Sequence, residues 1–183
     1  MQHRKTLMLV LTALFAALTA IGAFFKIPFA LAAISLQFLF TAMAGILLGA
    51  GYGALSQAVY VLIGLVGVPI FALGGGFSYV LQPTFGFLLG LIPAAAVIGA
   101  LTARRTGYLT VLAAVLVGDL ILYAVGVPYM YLILHVYMQS AKTFPALLAA
   151  MLVYVPGDTL KIVVVTALVP VLRRTLAKAV PNL

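Results

Sequence analysis

From Thr6 to Phe25 the chain carries no charged side chain, and stretches of similar character recur along its length. A helix that crosses a bilayer needs about 20 mainly apolar residues, with Gly, Pro and charge marking where each crossing stops. Six spans fit, at 6–25, 34–50, 53–67, 84–103, 109–126 and 146–172. The fifth has room to bend at Gly126-Val127-Pro128 and continue through YMYLILHVY. Hydrophobic residues fill 66% of the 183 positions and charged ones 7%, with a mean hydropathy of +1.31. A soluble core of this size cannot bury that much apolar surface, whereas lipid solvates it. The expected fold class is therefore an all-α integral membrane protein, a six-helix bundle forming one domain over residues 1–183. Thr6 to Phe25 is longer than the roughly 7–15 residue apolar core of a secretory leader, so it reads as the first transmembrane helix.

The net charge of +8 does not form a nucleic-acid face, because its Lys and Arg residues sit in short clusters between apolar runs. They read as topology signals. With six spans and the N-terminus inside, the inner segments hold Arg4, Lys5, Arg104, Arg105, Arg173, Arg174 and Lys178, seven of ten basic residues. Lys26 and Lys142 fall outside, and both termini are expected in the cytoplasm. Cysteine is absent, which removes disulfides, thiolate catalysis and thiolate-bound metal. No HExxH, carboxylate cluster or Ser-His-Asp spacing stands out, and His135 among aromatics reads as an interfacial polar tip. No enzymatic activity, metal or cofactor is expected.

Small residues are patterned. Ala13, Ala16, Ala17 and Ala20 recur at helical spacing in the first span, and such faces let another backbone approach closely in lipid. Gly45, Gly49 and Gly53, and Gly86 with Gly90, suggest packing inside the bundle. Between spans three and four, GLVGVPIFALGGGFSYVLQPTFGF contains three consecutive glycines, Gly74 to Gly76. Glycine gives up backbone entropy without burying a side chain, so this loop needs unusual dihedrals or close backbone approach. Its Phe71, Phe77, Tyr79 and Gln82 are expected to fold over the mouth of the bundle as a lid. It is not a phosphate-binding loop, since no G-x-x-x-x-G-K-[ST] is present.

Only two acidic residues occur in the chain, and VPGDTLK places Asp158 three positions before Lys161. Asp158 lies roughly 20 Å along the helix axis from both Pro145 and Arg173, near mid-bilayer depth. A charge there costs about 2.5–3.5 kcal/mol on insertion scales, so the two groups should pair or face a polar cavity. Three readings stand on the residues alone: a packing ion pair with Asp119 as a third member, a proton or ion relay, and a ligand site. In the last, the carboxylate accepts N–H donors and the ammonium donates to a carbonyl or carboxylate.

The sequence resembles the BioY family, the biotin-specific substrate-binding (S) components of energy-coupling factor (ECF) transporters. The likeness rests on AISLQFLFTAMAGILLGAGYGALSQAVYVLIGLVGVPIF, on GGFSYVLQPTFGF and, most specifically, on VPGDTLK as P-G-D-x-x-K in the last helix. It implies high-affinity biotin capture on the outer face of a prokaryotic cell membrane, with a transmembrane T component and two ATP-binding subunits supplying transport energy. The alternatives are a stand-alone proton-coupled vitamin carrier, an S component for another vitamin such as lipoate, and a membrane scaffold. The biotin site that the resemblance implies comprises Asp158, Lys161, Gln37, Gly75, Gly76, Tyr79, Thr84 and Asp119. It also implies T-component docking through Ala13, Ala16, Ala17 and Ala20. Phe85 stands where the family usually has glycine, and Leu88 and Leu89 stand where some members place an arginine. The valerate carboxylate is thus expected on Lys161, backbone N–H groups, or the Thr84 and Tyr79 hydroxyls.

Overall fold

A computed structural model describes residues 2–29, 32–105 and 107–179, with the side chains at 2–3, 26–29, 32–34, 170 and 174–179 outside the description. Helix α1 (Gln2–Phe24) leads into a short antiparallel hairpin, β1 (Lys26–Phe29) and β2 (Ala32–Ser35), in which Lys26 faces Ser35. Then follow α2 (Gln37–Leu65), a loop with a 3-10 turn at Phe77–Leu81, α3 (Phe85–Thr102) and α4 (Tyr108–Leu132). A π-helical turn, Ile133–Tyr137, extends α4. The chain ends with α5 (Phe144–Met151), a 3-10 turn (Leu152–Tyr154) and α6 (Val155–Ala179). Apart from the hairpin, the all-α expectation describes the fold.

Five helices are long and apolar enough to cross a membrane, where six spans were expected. The difference lies in α2. Spans two and three form a single helical run broken only at Gly49, whose φ of 80° and ψ of 177° are non-helical. There the chain doubles back. A Cβ on Gly53 would sit 2.8 Å from the Gly45 Cα, a contact that eight residues of straight helix forbid. Gly45 also lies against the Ala95 carbonyl, and Gly99 against the backbone of Gly49 and Ala50. The glycine spacing therefore serves internal packing, as expected, except at Gly49, which makes the turn.

Two further boundaries differ from expectation. Helix α4 passes through Pro128 without stopping at residue 126; Pro128 and Ala124 both lie on its exposed side, so the missing N–H frees no buried carbonyl. The last span is interrupted by the 3-10 turn at Leu152–Tyr154. Pro156 follows as the second residue of α6, where a helix does not use that N–H. Asp158 consequently sits in the first turn of a new helix rather than mid-helix.

The bundle has a basic end and a loop end. Met8 packs with Ala44 and Leu48 beside the Gly49 turn, and the Arg173 guanidinium donates to the Thr102 carbonyl at 3.2 Å. Exposed Arg4, Lys5, Arg104 and Arg105 belong to this end. The opposite end gathers the glycine-rich loop, the start of α3 and the start of α6.

Candidate ligand site

The loop is fastened to the helices by shape and by hydrogen bonds. A Cβ on Gly64 would lie 2.1 Å from the Phe71 ring, which fills the place of the absent side chain and is 1% exposed. Gly75 sits so close to the Val68 carbonyl that a Cβ would come within 2.2 Å. Gly74 and Gly76 have φ of 121° and 100°, left-handed conformations that glycine adopts freely. The Gly76 N–H donates to the Gly64 carbonyl at 2.7 Å. Tyr60 donates to the Ile70 carbonyl at 3.2 Å and Tyr129 to the Val80 carbonyl at 2.6 Å.

These anchors line up an aromatic wall. Phe71 stacks edge-on to Tyr60 and packs 4.7 Å from Tyr79; Tyr79 meets Phe85, and Phe85 meets Tyr129 at 5.8 Å. Burial pushes the Tyr79 phenol above its ordinary range, so it remains a neutral hydroxyl. Of the four side chains expected in a lid, Phe71 and Tyr79 are buried, while Phe77 and Gln82 point outward. Phe85 is part of the wall.

A charged group lies beyond Phe87, which packs against the core cluster that includes Phe71, Tyr79 and Phe85 and whose ring meets Tyr123 edge-on at 5.9 Å. Asp158 and Lys161 form an ion pair of 2.5 Å and are only 6% and 8% exposed, although each carries charge. Tyr123 donates its hydroxyl hydrogen to the second Asp158 oxygen. Asp119 lies one turn before Tyr123 on α4, within electrostatic reach of both Asp158 and Lys161. Its Oδ1 is buried without a hydrogen-bond partner. The Thr84 hydroxyl, at the start of α3, is buried as well and lies beside the Tyr79 phenol.

The expected residues thus fall into three groups. Asp119, Asp158 and Lys161 converge between α4 and α6. Tyr79, Thr84, Gly75 and Gly76 belong to the loop and its junction with α3, the two glycines contributing backbone shape. Gln37 is engaged within the protein: it accepts from Ser35 at 2.8 Å and donates to Tyr60 at 2.6 Å. Sequence reasoning missed Tyr123, Tyr60 and Tyr129. Tyr123 was findable, being four residues after Asp119 and so on the same helix face. It also missed a buried network in which Gln57 accepts from Thr41 at 2.8 Å and meets Thr19 of α1 at 3.3 Å. The alanine stripe divides: Ala16 is buried in the core and Ala20 packs against it, whereas Ala13 and Ala17 are exposed. His135 is exposed and stacked on Tyr131.

Chemically, the arrangement offers carboxylate acceptors, one ammonium donor, hydroxyls and flat aromatic surface. That suits a compact heterocycle with both N–H and C=O groups. A family model described as the BioY family matches residues 1–178. The chain belongs to the BioY family. A probable biotin transporter BioY of Lysinibacillus sphaericus is 49% identical over 146 residues, covering 79% of this chain and 74% of the relative. A biotin transporter BioY of Rhodobacter capsulatus is 36% identical, with 100% and 97% covered. Among solved structures, a crystal structure of the S component for biotin from an ECF-type ABC transporter superposes with a TM-score of 0.83 at 27% identity, over 95% of this chain and 94% of that one. In this BioY member, Leu88 is buried in the core, and Arg104, Arg105 and Arg173 are remote from the site: Arg104 and Arg105 lie beyond the far end of α3, and Arg173 reaches Thr102.

Proposed function

We propose that this chain captures biotin on the outer side of the membrane and serves as the S component of an ECF transporter, with a T component and two ATP-binding subunits as separate partners. The observation that carries this reading is the trio of Asp119, Asp158 and Lys161 in a BioY-family chain, beside an aromatic wall and with a buried Asp119 oxygen that has no partner. Biotin's ureido ring supplies N–H groups for a carboxylate and a carbonyl for the ammonium, and its apolar rings match the aromatic surface. The valerate carboxylate is assigned to the Thr84 hydroxyl and backbone N–H groups near the start of α3. In this reading Gln37, Gly75, Gly76 and Tyr79 shape the pocket around biotin.

The positive-inside rule puts the basic end, and with it both termini, in the cytoplasm. The exposed Ala13 and Ala17 then present a small-residue face to the T component, with Ala16 and Ala20 supporting it from within. A thermal-shift screen of the detergent-purified chain against biotin, lipoate, thiamine and riboflavin tests the ligand. Stabilisation by biotin alone supports the proposal, and stabilisation by a different vitamin alone overturns it.

A further inference from the structure

We infer that the basic end of the bundle holds an anionic phospholipid, its phosphate on Arg104, Arg105 and Arg173 and an acyl chain against the apolar side chains beside them. The balance of charge points outward. The chain has ten Lys and Arg residues but only two acidic ones, Asp119 and Asp158, and both stand with Lys161 between α4 and α6. Asp119 is eleven positions beyond Tyr108, about 16 Å along α4, and Asp158 is fifteen positions before Arg173, about 22 Å along α6. Neither carboxylate reaches the basic end. No acidic side chain of the protein neutralises that end, so its counter-ions come from its surroundings.

The fold gathers these charges. Arg173 reaches from α6 to donate to the Thr102 carbonyl, at the last residue of α3, over 3.2 Å. That bond uses one of the five N–H donors of a guanidinium and fixes the group two residues before the exposed Arg104 and Arg105. Three arginines thus share the end of α3, and the planar fork of each matches phosphate oxygens. Met8 packs on Leu48, and Gly99 on Gly49 and Ala50, which brings exposed Arg4 and Lys5 of α1 to the same end and extends the positive rim. The surroundings favour a lipid over an acidic protein surface. Leu101, Tyr108 and Leu109 bracket Arg104 and Arg105 and are exposed. The charge therefore lies at the margin of an apolar surface, and its occupant needs both an anionic head and a hydrocarbon tail. Basic pockets between transmembrane helices take phospholipid head groups in this way.

The chain has no tryptophan, so Leu109→Trp supplies a single fluorophore beside the arginines, and Leu152→Trp, at an exposed position toward the loop end, supplies a control. Each full-length variant is reconstituted into phosphatidylcholine vesicles containing either brominated phosphatidylglycerol or brominated phosphatidylcholine, and quenching gives the relative affinity of the two lipids at each position. At residue 109 we expect phosphatidylglycerol to be preferred about fivefold. The preference should fall below about twofold in about 1 M NaCl, and likewise when Arg104→Gln and Arg105→Gln are added. At residue 152 the two lipids should quench equally. The salt arm acts on the unaltered arginines, so it decides the matter even where the combined variant fails to fold. Equal affinity at residue 109 overturns the assignment and leaves the charges to an acidic protein surface. A preference that survives either salt or the arginine substitutions, or one that is equal at residue 152, overturns it as well.

Discussion

The Gln37 amide donates to the Tyr60 hydroxyl over 2.6 Å, although 23 positions separate them within one helical run. A straight helix would hold them about 35 Å apart at 1.5 Å per residue. The reversal at Gly49 brings them together at the loop end, where Tyr60 also bonds the Ile70 carbonyl. One glycine at the basic end thus sets the register of the pocket's framework at the other.

Gly49→Ala should destabilise the protein by about 1–3 kcal/mol, because its backbone lies in a region essentially reserved for glycine. Nothing lies within 4 Å of the added Cβ, so the loss is conformational rather than steric. Gly51→Ala is the control: it is helical, equally open, and should be neutral or mildly stabilising. Thermal unfolding in detergent separates the two, and equal effects would remove the turn from the account.

Gly64→Ala should cost about 1–3 kcal/mol by overpacking against the Phe71 ring, and should weaken biotin binding by displacing the aromatic wall. Combining it with Phe71→Leu should recover part of the stability. Simple additivity of the two substitutions would mean that this contact does not anchor the loop.

Asp158→Asn should destabilise by about 3–5 kcal/mol, since it leaves a buried ammonium without its counter-ion. Lys161→Met should do the same from the other side. The double variant should regain most of the stability while binding biotin poorly, which distinguishes a ligand site from a packing ion pair. Restored binding in the double variant would favour the packing role.

Much of this was legible in the sequence, for reasons that differ by feature. Apolar runs and basic clusters placed the helices because lipid imposes length and charge rules on every crossing. The reversal at Gly49 was legible as the boundary between spans two and three, expected at residues 50–53, but the sequence did not show that a single glycine makes the whole turn within one nearly continuous helical run. The break before Pro156 was written in the proline, but a membrane span tolerates such a break and so masks it. In the site, Asp158 and Lys161 were conspicuous as charge in an apolar run. Thr84 was legible only through the family resemblance, and Tyr123 was passed over although it lies one turn after Asp119 on the same helix face.

Ala17→Leu should leave biotin binding in detergent unchanged and reduce biotin uptake by cells that also supply the T component and ATP-binding subunits, because Ala17 is exposed. Ala16→Leu should instead destabilise the fold, since Ala16 is 4% exposed within the core. The contrast is read by pairing uptake with thermal unfolding. Undiminished uptake in Ala17→Leu would remove that face from docking.

The most direct measurement of the central claim is a calorimetric titration of biotin into the purified, detergent-solubilised chain without any partner subunit. The account predicts saturable binding of one biotin per chain, lost or strongly weakened in Lys161→Met. No saturable binding, or affinity unchanged by Lys161→Met, would contradict it.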